Sequence, residues 1–254
     1  MTSSRTHTWV INLDRSPERL AVISAALDRL GIPWTRHRAV DARALKPEQS
    51  RKLDADTFRR WHGMEPALGE VGCYLSHVEV MQAFLQTDKD FAVILEDDAQ
   101  PTARLPAVLA ALEAHAGRWD MVKLSAVHSG TPQPVLRLTP DTELAVMLTR
   151  CTGSSAYIIN RHAAEVYLRG LLPIQLPYDH VFDQGWTFDL RVRLASPPPI
   201  GHPQDNETTI VVTKSRKFPW HRRLTTHVVR ARNELRRVRY AWRELRNERH
   251  RAGA

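Results

Sequence analysis

Apolar and polar positions along the chain switch repeatedly between a period of two and a period near 3.6. Residues 8–13 form a short apolar run that reads as a strand. Ser16 followed by Pro17 carries the signature of an N-cap with proline at the first helical position. Leu20, Ile23, Leu27 and Leu30 then recur at helical spacing, and Gly31 supplies the stop. Residues 35–40 predict a second strand, which closes a βαβ unit and places the first strand inside a parallel sheet with a right-handed crossover. Residues 69–86 predict a helix with Val71, Leu75, Val78, Met81 and Leu85 on one face. Helices over 107–115 and 161–168 and strands over 119–125 and 155–159 follow, so the expected class is α/β throughout.

The most telling pattern is the run from Phe91 to Leu95, which is wholly apolar and stops abruptly in Glu96, Asp97 and Asp98. Such a run reads as a strand covered on both faces, and its acidic end falls at the carboxyl edge of the sheet, where α/β proteins bind ligands. Three adjacent carboxylates repel and raise one another's pKa, so a hard divalent cation with oxygen ligands is the cheapest way to keep them ionised. Continued strand alternation would place Glu96 and Asp98 on one face and Asp97 on the other. The bland reading of the same residues is a solvated acidic turn with Asp98 near a helix start.

Composition adds limits. With 254 residues, 43% hydrophobic and 25% charged, the chain can bury an ample core in one large domain. Cys73 and Cys151 make neither a disulfide framework nor a zinc spacing, which suggests a reducing cytoplasm. The first residues lack a signal-peptide apolar region, and no apolar stretch approaches the roughly 20 residues that span a bilayer, so a soluble body is expected. The net charge of +8 is unevenly spread: residues 214–254 hold 14 Lys and Arg against 3 Asp and Glu, leaving residues 1–213 mildly acidic. The predicted organisation is a body over 1–213 and a basic helical tail over 214–254.

Several short motifs, taken in order, resemble one family. Val10-Ile-Asn-Leu-Asp-Arg15 with Pro17 and Arg19, Leu30-Gly31, Ala39-Val-Asp41, Gly69-Glu-Val-Gly-Cys-Tyr-Leu-Ser-His77, Val93-Ile-Leu-Glu-Asp-Asp98, Gly153-Ser-Ser-Ala-Tyr157 and Pro177-Tyr-Asp-His180 follow the register of glycosyltransferase family 25 over about residues 8–210. That family includes bacterial lipopolysaccharide and lipooligosaccharide glycosyltransferases and collagen galactosyltransferases. The resemblance implies a GT-A-like Rossmann-type fold, a nucleotide-sugar donor such as UDP-galactose, a saccharide or lipid-linked saccharide acceptor in lipopolysaccharide biosynthesis, and inversion at the anomeric carbon. Glu96-Asp97-Asp98 resembles the family's Asp-x-Asp variant. It makes Asp98, with Glu96, the expected ligands of Mn2+ or Mg2+ beside the departing diphosphate, and puts Glu96 or Asp97 near ribose or ligated water.

The remaining candidates are weighed individually. Asn12, Asp14, Arg15 and Arg19 follow the first strand at a helix N-terminus, where arginines pair with diphosphate; the alternative is a surface pairing of Asp14 with Arg15 or Arg19. Ser76 and His77 lie inside a predicted helix, and a role for His77 in holding the acidic strand end or the donor is favoured over proton transfer. An inverting transfer needs a carboxylate base, for which Asp179 is the first candidate, Asp183 the second and Glu207 an outside choice. Asp179 could instead cap a short helix. Trp186 could offer a ring face to a sugar, and His202 could ligate metal by analogy with other GT-A enzymes. Beyond the body, Val228, Ala231, Leu235, Val238, Trp242 and Leu245 repeat in steps of three and four on an arginine-dense helix. That stripe could lie on an anionic membrane surface, pack on the body or a partner helix, or accompany nucleic-acid binding. The membrane reading is favoured because the implied acceptor resides there, giving a cytoplasmic protein peripheral to the inner face of the cytoplasmic membrane. A metal-dependent nucleotidyltransferase and a catalytically silent saccharide-binding or assembly protein are the competing functional classes.

Overall fold

A computed structural model describes residues 5–201 and 217–252. The chain begins with β1 (Thr6–Asn12), α1 (Pro17–Arg29) and β2 (Trp34–Arg38), and β1 pairs in parallel with β2 on one side. After α2 (Pro47–Ser50), α3 (Ala55–His62) and α4 (Leu68–Leu85), β3 (Phe91–Glu96) pairs in parallel with the other side of β1. The first strand is therefore interior, as its βαβ pattern requires. Ser16 is buried before α1, but its side chain makes no capping bond; its carbonyl instead accepts from Asn12 Nδ2 at 2.9 Å.

The middle of the chain contains β4 (Gln100–Pro101), α5 (Leu105–Ala114), β5 (Met121–Lys123), β6 (Pro132–Thr139), β7 (Thr142–Met147), β8 (Ala156–Asn160) and α6 (Arg161–Gly170). It closes with α7 (Tyr178–Val181), α8 (Gly185–Phe188), β9 (Val192–Ser196), β10 (Ile200–Gly201) and α9 (Leu224–Ala252). Eight strands form one mixed sheet in the order β2-β1-β3-β8-β5-β9-β7-β6, while β4 and β10 make a small antiparallel ladder. The β6–β7 hairpin and β9 were not anticipated from the apolar pattern.

β3 shows why the sheet has two cores. Ala92 and Ile94 enter one core with Tyr74, Leu75, Val78 and Met81 of α4, whereas Phe91, Val93 and Leu95 enter the other with Ile23 and Leu27 of α1 and Val108 and Leu112 of α5. Strand alternation thus feeds both helical layers. The same alternation aims Glu96 toward α4.

α9 lies against the body with a polar face. Thr226, Val229, Arg237, Tyr240, Ala241, Glu244 and Glu248 are buried, and they are spaced so as to share one side of the helix. Tyr240 Oη donates to the Leu190 carbonyl at 2.8 Å and accepts from the Val192 amide at 2.8 Å. A side chain at Gly185 would sit 2.5 Å from the Tyr240 ring, so only glycine lets the two approach.

Candidate functional site

β1 and β3 end side by side, with Ile11 in register with Glu96. Asn12, the last residue of β1, donates from Nδ2 to Asp97 Oδ2 at 2.8 Å and accepts from Arg36 Nε at 3.1 Å through Oδ1. β3 ends at Glu96 and the chain turns, the Ala99 amide donating to the Glu96 carbonyl at 3.1 Å. Strand alternation therefore stops before Asp98. Arg19 of α1 reaches both Asp97, at 2.9 Å, and Asp98, at 3.0 Å. The strand pattern predicts one face for Glu96 and Asp98; with the turn, Asp97 and Asp98 both meet Arg19, whereas Glu96 meets His77 and Ser154.

The three acids titrate differently. Burial, and then the charge of Glu96, lifts Asp98 to about 6, against the pull of Arg19. Asp98 Oδ1 is buried with no hydrogen-bond partner among the described residues. Asp97 is also raised, by burial, against Arg19 and the Asn12 amide. Burial pushes Glu96 upward as well, but hydrogen bonds from His77 and Ser154 and the nearby positive charges outweigh it, so its carboxyl titrates below the ordinary range.

His77 holds the Glu96 end from α4. Its Nε2 lies 3.4 Å from Glu96 Oε1, its Nδ1 lies 3.0 Å from the Tyr157 hydroxyl, and its ring stacks on Tyr178 at 4.2 Å. Ser154 donates to the same Glu96 oxygen at 3.2 Å. Ser76 donates to the Gly72 carbonyl at 2.7 Å and accepts from the Val40 amide at 2.8 Å, tying α4 to the segment after β2. A Cβ at Gly72 would lie 2.7 Å from the Val40 carbonyl, so this close approach requires glycine. Between these parts lies a cavity of about 440 Å³, whose polar lining includes Arg15, Arg19, His77, Glu96, Asp97 and Asp98.

A family model described as glycosyltransferase family 25 (LPS biosynthesis protein) matches residues 5–182. The chain belongs to glycosyltransferase family 25. A glycosyltransferase 25 family member of Anopheles gambiae is 26% identical over 212 residues, covering 76% of this chain and 35% of that protein. A Drosophila melanogaster family member is 29% identical over 121 residues, 45% of this chain and 20% of that one. The human protein named inactive glycosyltransferase 25 family member 3 is 28% identical over 124 residues, 46% of this chain and 21% of its own length. The chain thus spans about a third or less of the curated relatives it matches.

Within this family-25 framework, the sequence-predicted residues divide into those at the cavity and those elsewhere. Asn12 and Arg19 bind Asp97, Arg19 also binds Asp98, and Glu96 meets His77, while Arg15, Arg19, Ser76, His77 and the three acids line one cavity. Asp14 pairs not with Arg15 or Arg19 but with Arg36 and Arg38, each at 2.6 Å, because β2 carries those arginines alongside the end of β1. Arg15 instead binds Asp41. Asp179 lies within α7 rather than capping it; burial raises its carboxyl against the charges of Arg150 and Lys123. Burial raises the Cys73 thiol, with Glu96 and then Asp179 adding to it, while Asp179 itself is not among the residues that line the cavity.

Asp183 is placed differently from its expected role. It is 2% exposed and accepts from Arg237 of α9 at 3.1 Å, a buried ion pair outside the cavity lining. Trp186 is likewise engaged by α9, with the Arg237 guanidinium 4.8 Å from its ring and Tyr240 packed edge-on at 6.2 Å, which covers the ring face expected for a sugar. His202 and Glu207 lie outside the described residues.

Sequence reasoning missed Cys73, Ser154, Tyr157 and Tyr178. Cys73 Sγ, a His77 ring nitrogen and a Glu96 oxygen lie within 4.8 Å of one another. The available signal was the spacing of Cys73 and His77, one helical turn apart on α4. A thiol held protonated by burial and acidic neighbours is a poor ligand for a hard cation.

Proposed function

We propose that this chain is a glycosyltransferase that moves a sugar from a nucleotide-sugar donor to a saccharide acceptor with the help of a divalent cation. One observation carries the reading: Glu96, Asp97 and Asp98 line one cavity where parallel strands end, and one buried Asp98 oxygen has no partner among the described residues. Arg19 supplies a single positive charge to Asp97 and Asp98. The all-oxygen acidic set and its orphaned atom fit Mn2+ or Mg2+, with Asp98 and Glu96 as the residues that would hold it. The cation's chemistry is to neutralise negative charge on the departing diphosphate. Arg15, on the same wall, is suited to grip that diphosphate, and Asn12 fixes Asp97.

Asp179 is the base assigned to the acceptor hydroxyl in an inverting transfer. Its raised pKa moves a carboxylate toward the range useful for accepting a proton. UDP-galactose is the donor to test first, and lipopolysaccharide-type saccharides, named in the family's description, are the first acceptors. The second reading, a catalytically silent saccharide-binding protein, is favoured by the inactive human relative.

The test is a thermal-shift titration with UDP, GDP and CMP, with and without manganese, followed by turnover of the matching sugar conjugates. Stabilisation that needs both manganese and one nucleotide, with release of its sugar, is expected. A ligand at 100 times its dissociation constant should stabilise by about 2.7 kcal/mol. A folded protein that binds no nucleotide supports the silent reading instead.

A further inference from the structure

α9 is amphipathic in the opposite sense from most packed helices. Its inward face is held by charged and hydroxyl groups: Arg237 on Asp183, Tyr240 on the β9 backbone, and Glu244 and Glu248 on Arg193 at 2.8 and 2.9 Å. The apolar stripe faces outward. Leu224, Val228, Leu235 and Trp242 are each at least 60% exposed, and Val238 is 40% exposed. At roughly 100° per residue these positions fall within one arc of about 100°, on the side away from the buried residues. The stripe from Leu224 to Leu245 is about 32 Å long at 1.5 Å per residue.

A ridge of arginines runs beside that stripe. Arg232, Arg236, Arg239 and Arg246 project next to it on the helical wheel and pair with no carboxylate among the described residues. Arg243, in the same row, pairs with Asp189 and Glu244. What covers this face must satisfy both halves. Nucleic acid would engage the arginines but leave the aliphatic residues and Trp242 in water. A second copy would bury the stripe but bring two unpaired cationic ridges together. An anionic bilayer surface accepts both, with the stripe entering the headgroup boundary and the arginines meeting lipid phosphates. No described helix is long and apolar enough to cross a membrane, so this helix would lie on the surface rather than through it.

We propose that the outward face of α9 docks the protein on an anionic phospholipid bilayer, with the helix parallel to the surface. The inward ion pairs clamp α9 to the body, so the body rides on the membrane as one piece. This inference stands independently of the transferase reading.

The test is flotation of the full chain with vesicles of phosphatidylcholine alone or mixed with phosphatidylglycerol. The wild-type protein should float with the mixed vesicles only, and binding should weaken as salt rises. Each arginine near an anionic surface contributes about fivefold in affinity, so Arg232→Gln/Arg236→Gln/Arg239→Gln/Arg246→Gln should lose more than about tenfold. Leu235→Gln/Trp242→Gln, at exposed positions, should lose a comparable factor with unchanged far-ultraviolet circular dichroism. Equal recovery with both vesicle types, salt-insensitive binding, or unchanged binding by both variants would overturn the proposal. So would a lipid-free dimer that the stripe variant dissolves, since the face would then belong to a second copy. The salt titration needs only the wild-type chain and decides the matter even if a variant folds poorly.

Discussion

Asp98 gives one oxygen to Arg19 and keeps the other buried without a partner among the described residues. Asp98→Asn keeps the shape and removes the charge, so cooperative unfolding should persist while manganese-dependent nucleotide binding falls by more than about tenfold, measured by titration calorimetry. His62 and His180, whose rings meet edge-on at 5.0 Å, give a separate prediction. Burial, and then neighbouring positive groups, lowers His62 to about 4 and His180 to about 3. Both are neutral when folded, and both protonate near 6.5 when unfolded. Their depressed values leave stability intact above about 6.5 and erode it as pH falls toward 4, by about 1.4 kcal/mol per pH unit for each ring. Urea unfolding across that window should show the slope, and a His62→Gln/His180→Gln variant should flatten it. The motif residues at the ends of β1 and β3 were readable because strand ends and acidic runs are local signals. Cys73 and Tyr178 were not, because their place beside His77 depends on α4 and α7 packing together.

Elements differ in how openly they declare themselves. β3 was legible because all five of its apolar residues are buried, and α1 because its apolar positions follow one face, whereas α4 is buried nearly all round, with Val80 and Phe84 opposite Val71 and Leu75. β6 was hidden by Pro132 and Pro134 and by half-exposed positions, although Pro140-Asp141 marks a turn before the apolar run of β7. β9 was hidden by Arg193, a fully buried arginine in a strand otherwise fit for the core. Three substitutions test this level. Glu248→Ala strips a buried partner from Arg193 and Arg118 and should cost about 3–5 kcal/mol in urea unfolding. Arg251→Ala, whose side chain is 43% exposed and which binds the same carboxylate at 3.3 Å, should cost less than about 1 kcal/mol. Gly72→Ala should push α4 from the Val40 carbonyl, costing about 1–3 kcal/mol and loosening the cavity wall.

For the whole molecule, the α/β plan and the interior place of β1 followed from the first βαβ unit, while the seat of α9 did not. Its apolar stripe invites the expectation that hydrophobic residues turn inward, yet hydrogen-bonded ion pairs supply the contact and the stripe is left outside. Deleting residues 220–254 is therefore not a clean removal of a tail. It uncovers Arg193 and Asp183 together, and the shortened chain should unfold at a markedly lower temperature or lose cooperativity, read by scanning calorimetry.

The clamp also sets an order of events during synthesis. Asp183 leaves the ribosome 54 residues ahead of Arg237, and Arg193 leaves 51 and 55 residues ahead of Glu244 and Glu248. Until those partners emerge, a nascent body that closed around Arg193 would bury a naked charge. The half of the sheet built on β9 should therefore stay loose through that interval and lock only as α9 arrives, whereas the β1–β3 half, whose partners are already made, is free to settle first.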